Sequence, residues 1–162
     1  MTTAKTSIFK CPFSDANLDF NKQPNLPPGW SIYSHNLRSG YRELRLNSLQ
    51  FELFGLIRQY EGSVVAGKDI YREVQKRSPL PANLLDHFLS HPDDIPEELK
   101  GDGQTILYVF FWDTVYLNDE MNKCVRGMYF ENEWKECAHC FDDEESNIDE
   151  SWPSNCLALI AA

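Results

Sequence analysis

The chain has 162 residues, of which 42% are hydrophobic and 25% are charged, and its formal net charge is −10. This length and composition predict a single globular domain over residues 1–162, with a hydrophobic core of its own, and argue against a disordered chain. No apolar run is long enough to span a membrane, and residues 1–10 lack the apolar segment of a secretory signal. We therefore expect no membrane partner.

The charge is distributed unevenly along the chain. Residues 93–150 contain 17 Asp and Glu against 4 Lys and Arg, a net charge of −13, whereas the rest of the chain contains 8 against 11, a net charge of +3. The densest acidic run is Asp142–Glu150. An acidic half of this kind repels phosphates, so we expect no direct nucleic-acid partner. It favours a basic protein partner, and the alternative is a surface that only solubilises the chain.

The first part of the chain predicts little regular structure. Residues 1–29 predict an irregular N-terminal arm, because Pro, Asn and Asp are frequent there. Residues 30–36 follow as a short candidate strand, and a turn comes after them. The initial Met and the apolar end at residues 157–162 favour a complete small protein.

The middle of the chain, residues 41–100, is predicted to be mainly helical. From Gly40 to Glu61, apolar residues recur every three or four positions, which is typical of an amphipathic helix. Two shorter helices are expected over residues 69–77 and 81–90, where apolar spacing is similar. This pattern predicts that helices precede the strands in the chain.

The third part of the chain predicts a sheet. Three runs rich in Val, Ile, Tyr, Phe and Trp fill residues 104–142, and polar turn clusters separate them, which is typical of an antiparallel meander. Residues 152–161 would add a final strand at the sheet edge. We therefore expect the α+β fold class, with N-terminal helices packed on one face of a mainly antiparallel sheet formed by the C-terminal half, residues 104–162.

Alternation along the first strand run places aromatic side chains with polar tips on one face. This aromatic face carries Tyr108, Phe110, Trp112, Thr114 and Tyr116. The candidate binding residues near it are Tyr108, Trp112, Tyr116 and, from the next run, Tyr129. This face is either a second core layer or the floor of a ligand groove. Asp113 falls on the other, aliphatic face, next to the apolar run. Because a buried unpaired carboxylate is costly, we expect Asp113 to lie near the exposed end of the strand or to be held by a partner such as Arg126.

The cysteines predict free thiols and no metal. Five cysteines, an odd number, without a signal peptide favour a reducing cytoplasm. Cys137 and Cys140 have the spacing of half a zinc site, and Cys124 and Cys156 would have to supply the other ligands. A strand would point Cys137 and Cys140 to opposite faces, so zinc on these four residues is the weaker alternative.

The motifs of catalysis are incomplete, and the sequence favours a protein that is not an enzyme. Residues 62–69 have the spacing of a phosphate-binding loop, but Asp69 stands where that loop requires Ser or Thr. His87 and His91 are four residues apart, but no Glu follows His87, so the zinc-protease pattern is absent.

The leading functional hypothesis is a small acidic cytoplasmic protein that engages a basic protein partner. It would act as an inhibitor, an immunity protein, an adaptor or a nucleic-acid mimic, and Glu131 and Glu133 at a predicted turn are candidate binding residues. The alternative is a small-molecule-binding or enzymatic α+β domain, with its pocket between the helices and the aromatic face. No cofactor other than the weak zinc alternative is expected.

Overall fold

A mixed β-sheet dominates the computed structural model, which describes residues 7–11, 14–141 and 151–162. In chain order the strands are β1 (Phe9–Lys10), β2 (Asn17–Asp19), β3 (Ser31–His35), β4 (Glu43–Arg45), β5 (Gln50–Phe54), β6 (Val65–Ala66), β7 (Tyr108–Phe110), β8 (Thr114–Leu117), β9 (Lys123–Glu131), β10 (Glu133–Cys140), β11 (Ser151–Trp152) and β12 (Cys156–Ala161). The α-helices are α1 (Ile57–Tyr60), α2 (Gly67–Val74) and α3 (Ala82–Ser90), and short 3-10 turns cover Leu46–Ser48, Pro92–Asp94 and Glu97–Lys100.

Strand β9 organises the main sheet. β10 pairs antiparallel with one edge of β9 along eight residues of each strand, and β7 and β8 pair antiparallel with its other edge. β12 pairs parallel with β7 and antiparallel with β5, and β1 follows β5 at the edge. β3 pairs with β8, while β2 with β4 and β6 with β11 form two small separate ladders. The parallel β7–β12 pair makes the sheet mixed.

The predicted fold class, N-terminal helices on one face of a mainly antiparallel C-terminal sheet, is wrong. The structure is sheet-dominated, its α-helices within the described residues lie mid-chain, and β1, β3 and β5 bring the first third of the chain into the sheet. Residues 1–29 therefore contain strands rather than only an irregular arm. The helices expected over residues 69–77 and 81–90 are confirmed as α2 and α3, with small shifts at their ends.

The largest error concerns Gly40–Glu61, which was predicted as one helix and instead forms β4, a 3-10 turn, β5 and the short α1. Within it, Gln50–Phe54 reads Gln-Phe-Glu-Leu-Phe, an alternation that suits a strand as well as it suits part of a helix stripe. β5 pairs with β1 on one side and with β12 on the other. Hydrogen bonding to these distant segments, rather than the helical spacing of the apolar residues, determines the conformation of Gln50–Phe54.

Hydrophobic cores lie on both faces of the main sheet. One core packs α3 and the N-terminal segments against the sheet and includes Phe20, Phe51, Phe88, Val109 and Leu159. The other packs α2 and β11 against the opposite face and includes Ile70, Phe110, Trp112, Phe141 and Trp152. None of the helices in the described part of the chain is long and apolar enough to cross a membrane.

Residues 111–113 interrupt the first predicted strand run and divide it into β7 and β8. Asp113 lies in this break with 2% of its surface exposed, and both of its carboxylate oxygens lie 3.1 Å from the backbone N–H of Arg38, which donates to them. The predicted pairing of Asp113 with Arg126 is therefore wrong. Asp113 instead holds the loop after β3, where Leu37 has a φ of 52°.

Candidate functional site

The aromatic face predicted from alternation is divided by the break between β7 and β8. Trp112 is buried in the core beside α2, with its ring centroid 5.1 Å from that of Trp152. Tyr116 is fully buried on the other face of the sheet, where its hydroxyl contacts Arg126. Tyr108 and Tyr129 form a separate, partly buried pair with ring centroids 5.0 Å apart. The structure therefore does not bring the four aromatic residues around one cavity.

The prediction of free thiols is wrong for two of the five cysteines. Cys124 on β9 and Cys140 on β10 lie directly opposite each other and form a disulfide. Their sulfurs are therefore not thiolate ligands, and no group of His, Cys, Asp and Glu suited to a metal ion occurs among the described residues. Burial raises the pKa of Cys137 to about 12 and that of Cys156 to about 11, so both thiols stay protonated and are poor nucleophiles at neutral pH.

Arg126 is the centre of a buried polar network that joins several elements. Its side chain is 3% exposed on the face of the sheet that carries α3. Nε donates to Oε1 of Glu136 at 2.5 Å, and Nη1 donates to the hydroxyl of Tyr116 at 3.0 Å and to the carbonyl oxygen of Asn25 at 3.1 Å. Nη2 forms an ion pair with Oδ1 of Asp86 at 2.9 Å.

This network keeps the guanidinium charged although it is buried. Burial alone would lower the pKa of Arg126, but hydrogen bonds to Glu136 and Tyr116 and the charge of Asp86 raise it above its ordinary value. Burial conversely raises the pKa of the Tyr116 hydroxyl, so this group is neutral and donates to the Asn25 carbonyl at 3.2 Å. The network thus joins β8, β9, β10, α3 and the loop before β3.

An open groove with a volume of about 460 Å³ lies over this network. The loop of residues 25–30 forms one wall, with Leu26, two prolines and Trp30, and Arg126 with residues 136–138 of β10 forms the other. Leu26 is 41% exposed and the side chain of Glu136 is 44% exposed, so both are accessible at the rim. The volume falls within the range of small-ligand sites and also suits a single side chain of a partner.

The predicted turn between the second and third strand runs is confirmed as the β9–β10 hairpin. Glu131 and Glu133 are directly opposite each other at its tip, joined by Asn132 with a φ of 64°. Like charges in this arrangement oppose strand pairing. Lys135 Nζ lies 3.5 Å from Oε2 of Glu131, whereas Glu133 forms no ion pair among residues 7–11, 14–141 and 151–162.

A second acidic segment packs beside this tip. The 3-10 turn Glu97–Lys100 contacts β9, and Lys100 Nζ lies 4.6 Å from the centroid of the Phe130 ring. Lys100 also pairs with Glu97 at 3.0 Å. The exposed carboxylates of this region, which we call the acidic end, belong to Glu97, Glu98, Glu131 and Glu133. The acidic run predicted at Asp142–Glu150 lies outside the described residues.

Family models, curated proteins and solved structures were compared with the chain, and none of them matches. The two features that offer specific chemistry are the acidic end and the groove above Arg126.

Proposed function

We propose that the chain is an interaction protein whose acidic end binds a basic protein partner. The observation that carries this proposal is the packing of the Glu97–Lys100 turn against β9, which concentrates carboxylates from two distant parts of the sequence at one end of the sheet. Lys100 and Lys135 are each paired with a carboxylate there, so they offset only part of this charge.

The hairpin tip adds support for a binding role. Glu131 and Glu133 are directly opposite each other, and the repulsion between their charges destabilises the hairpin relative to one with a neutral pair at these positions. A cationic partner surface would remove this repulsion on binding, and the gain would appear as affinity and as a faster association rate. Repulsion of phosphates favours a protein, rather than a nucleic acid, as the partner of this end.

An inhibitor, an immunity protein, an adaptor and a nucleic-acid mimic would all present such a surface to a basic target. A cytoplasmic location remains part of the prediction. That prediction assumed that all five cysteines are free thiols. The Cys124–Cys140 disulfide argues against this assumption, because structural disulfides persist mainly in oxidising compartments.

The test compares three immobilised baits in lysate of the source cells. The first is the wild-type chain, the second carries Glu98→Lys and Glu133→Lys, and the third carries Glu43→Lys and Glu61→Lys. All four positions are exposed. Each variant replaces two Glu residues with Lys, so the net charge changes by the same amount in both. We expect a basic protein to be retained by the wild type and the third bait, lost from the second, and released as salt is raised. Capture of the same proteins by all three baits would refute the proposal.

A further inference from the structure

The polar network under the groove carries a net negative charge. Two carboxylates, those of Asp86 and Glu136, face one guanidinium, while Tyr116 and the Asn25 carbonyl add no formal charge. Asp86 is the deeper of the two, with its side chain 16% exposed, and it lies against Nη2. The charge of Arg126 is therefore matched within the protein, and the remaining negative charge lies at the more exposed Glu136.

Glu136 presents a free acceptor to the groove. Its contacts among the described residues use Oε1, which binds Arg126 Nε, and leave Oε2 without a protein donor. Because the side chain is 44% exposed on β10, Oε2 is accessible to an incoming donor. An incoming carboxylate would instead meet the carboxylate of Glu136, and the charge of Arg126 is already matched by Asp86 and Glu136. The charges at the groove therefore favour a cation.

The opposite wall suits a planar cation. The Trp30 ring is partly exposed and lies with its centroid 6.1 Å from that of Tyr116, whose own ring lies 5.6 Å from Cζ of Arg126. Indole is the most favourable aromatic ring for a cation, and a planar guanidinium can stack on it while its edge donates to a carboxylate oxygen. The apolar rim at Leu26 would cover the methylene stem of such a side chain.

We propose that this groove receives one arginine side chain of a partner protein, between Glu136 and Trp30. This inference rests on the proposed function, because it supplies a specific contact for the same basic partner. Glu136 lies three residues from Glu133 along β10, which is roughly 10 Å at the rise of a strand. Their side chains point to opposite faces of the strand, so one extended basic segment reaches both by crossing the outer edge of β10, which pairs only with β9 among the described strands.

The direct test is an NMR titration of the isotope-labelled chain with the blocked peptide acetyl-Gly-Gly-Arg-Gly-Gly-amide. The signals to follow are the indole N–H of Trp30 and the backbone amides of Leu26 and Ala138. We expect saturable shifts with a millimolar Kd, weaker binding when Lys replaces Arg, and no binding when Glu replaces Arg. The proposal is overturned if the Arg peptide causes no saturable shift, or if the Glu peptide binds as tightly.

Two variants locate the site. Glu136→Gln keeps an oxygen for Arg126 Nε but removes the charge, and we expect at least a fivefold rise in the Kd of the Arg peptide. Ala138→Lys places a cation at an exposed position of the groove wall and should abolish binding, whereas Ala138→Gln, of similar size and neutral, should retain most of it. Unchanged binding in both Glu136→Gln and Ala138→Lys would show that the peptide binds elsewhere and would overturn the assignment.

The two proposals fail in different ways. At about 0.15 M salt, where charges more than about 8 Å apart are largely screened, the Glu98→Lys and Glu133→Lys bait should lose its cellular partner but still bind the Arg peptide. Peptide binding without charge-dependent capture would refute the acidic end and leave the groove assignment supported. Charge-dependent capture without peptide binding would refute the groove assignment alone.

Discussion

Asp86 of α3 forms an ion pair with Arg126 of β9, with Oδ1 of the carboxylate 2.9 Å from Nη2 of the guanidinium. The other oxygen of Asp86 accepts the backbone N–H of Asn25 at 2.8 Å. One carboxylate therefore fixes a helix, a strand and the loop that forms a wall of the groove. This arrangement anchors the wall of the groove to the sheet and to α3, and such an anchor would lower the entropic cost of the binding proposed above.

Replacing the buried guanidinium should strongly destabilise the fold. Arg126→Met leaves Asp86 largely buried without its cation, and we expect a loss of about 3–5 kcal/mol in the free energy of unfolding, as is typical when one partner of a buried pair is removed. Urea denaturation followed by far-UV circular dichroism measures this loss. Lys135→Met removes the exposed partner of Glu131 and should cost less than about 1 kcal/mol. Equal losses in the two variants would contradict a structural role for the network.

Asp113 should make stability depend on pH in an unusual direction. Burial raises its pKa from 3.8 to about 6, and the backbone N–H of Arg38 offsets this only partly. Because the folded state holds this proton more tightly than the unfolded state, the associated stability is complete below pH 3.8 and is lost as pH rises through 6. The difference corresponds to about 3 kcal/mol, at about 1.4 kcal/mol for each pH unit.

The measurement compares wild type with Asp113→Asn by urea unfolding at several pH values. Between about pH 3.5 and about pH 7, we expect the difference in free energy of unfolding to move by about 3 kcal/mol in favour of the variant. Parallel pH profiles for the two proteins would show that Asp113 ionises as it does in an unfolded chain.

Gly67 should not tolerate a methyl group although it lies in α2. A Cβ at this position would lie 2.5 Å from Nε1 of Trp152 and closer still to Cβ of Phe141. Alanine ordinarily favours a helix over glycine by about 1 kcal/mol, but overpacking here should reverse the sign and give a net loss of about 1–3 kcal/mol in Gly67→Ala. Thermal unfolding measures the change. Lys68→Ala, at the exposed neighbouring position, should stay within about 0.5 kcal/mol of the wild type.

The disulfide predicts a thiol count and a change in stability. In denaturant without reductant, mass spectrometry after alkylation should show three modified cysteines, at Cys11, Cys137 and Cys156, and reduction should raise the number to five. Cys124 and Cys140 are 16 residues apart, and a loop of this length corresponds to a stabilisation of about 3 kcal/mol. Reduction should lower the free energy of unfolding by up to this amount. Five modified cysteines before reduction would show that the bond does not form.

Local sequence patterns predicted an element correctly where the segment it pairs with is close in sequence, or where it is a short helix. The β9–β10 hairpin follows from two alternating runs and a polar turn, and α2 and α3 follow from apolar spacing bounded by glycine or proline. The strand β5 was missed because its partners, β1 and β12, are distant in the chain. Apolar spacing over Gly40–Glu61 contains no information about those partners, so the helix prediction failed there.

The groove could have been anticipated only in part. Asp86 is the single acidic residue of α3, and Arg126 is the single charged residue between Lys123 and Glu131, the two ends of β9. Two isolated opposite charges of this kind are candidates for a buried pair. The prediction instead paired Arg126 with Asp113, which was closer in sequence. Trp30 and Leu26 gave no signal, because their position over Arg126 depends on how the loop of residues 25–30 crosses the sheet.

The position of β12 has a consequence for how the protein acquires its structure. Among the described strands, β12 alone connects β5 and β1 with β7 and the hairpin beyond it. β5 therefore has no partner on its β12 side until residues 156–161 have been synthesised. The two halves of the main sheet join late, by contacts between segments that are far apart in the chain. Such topologies fold slowly, and a nascent chain that stalls before β12 exposes the edge of β5 to aggregation.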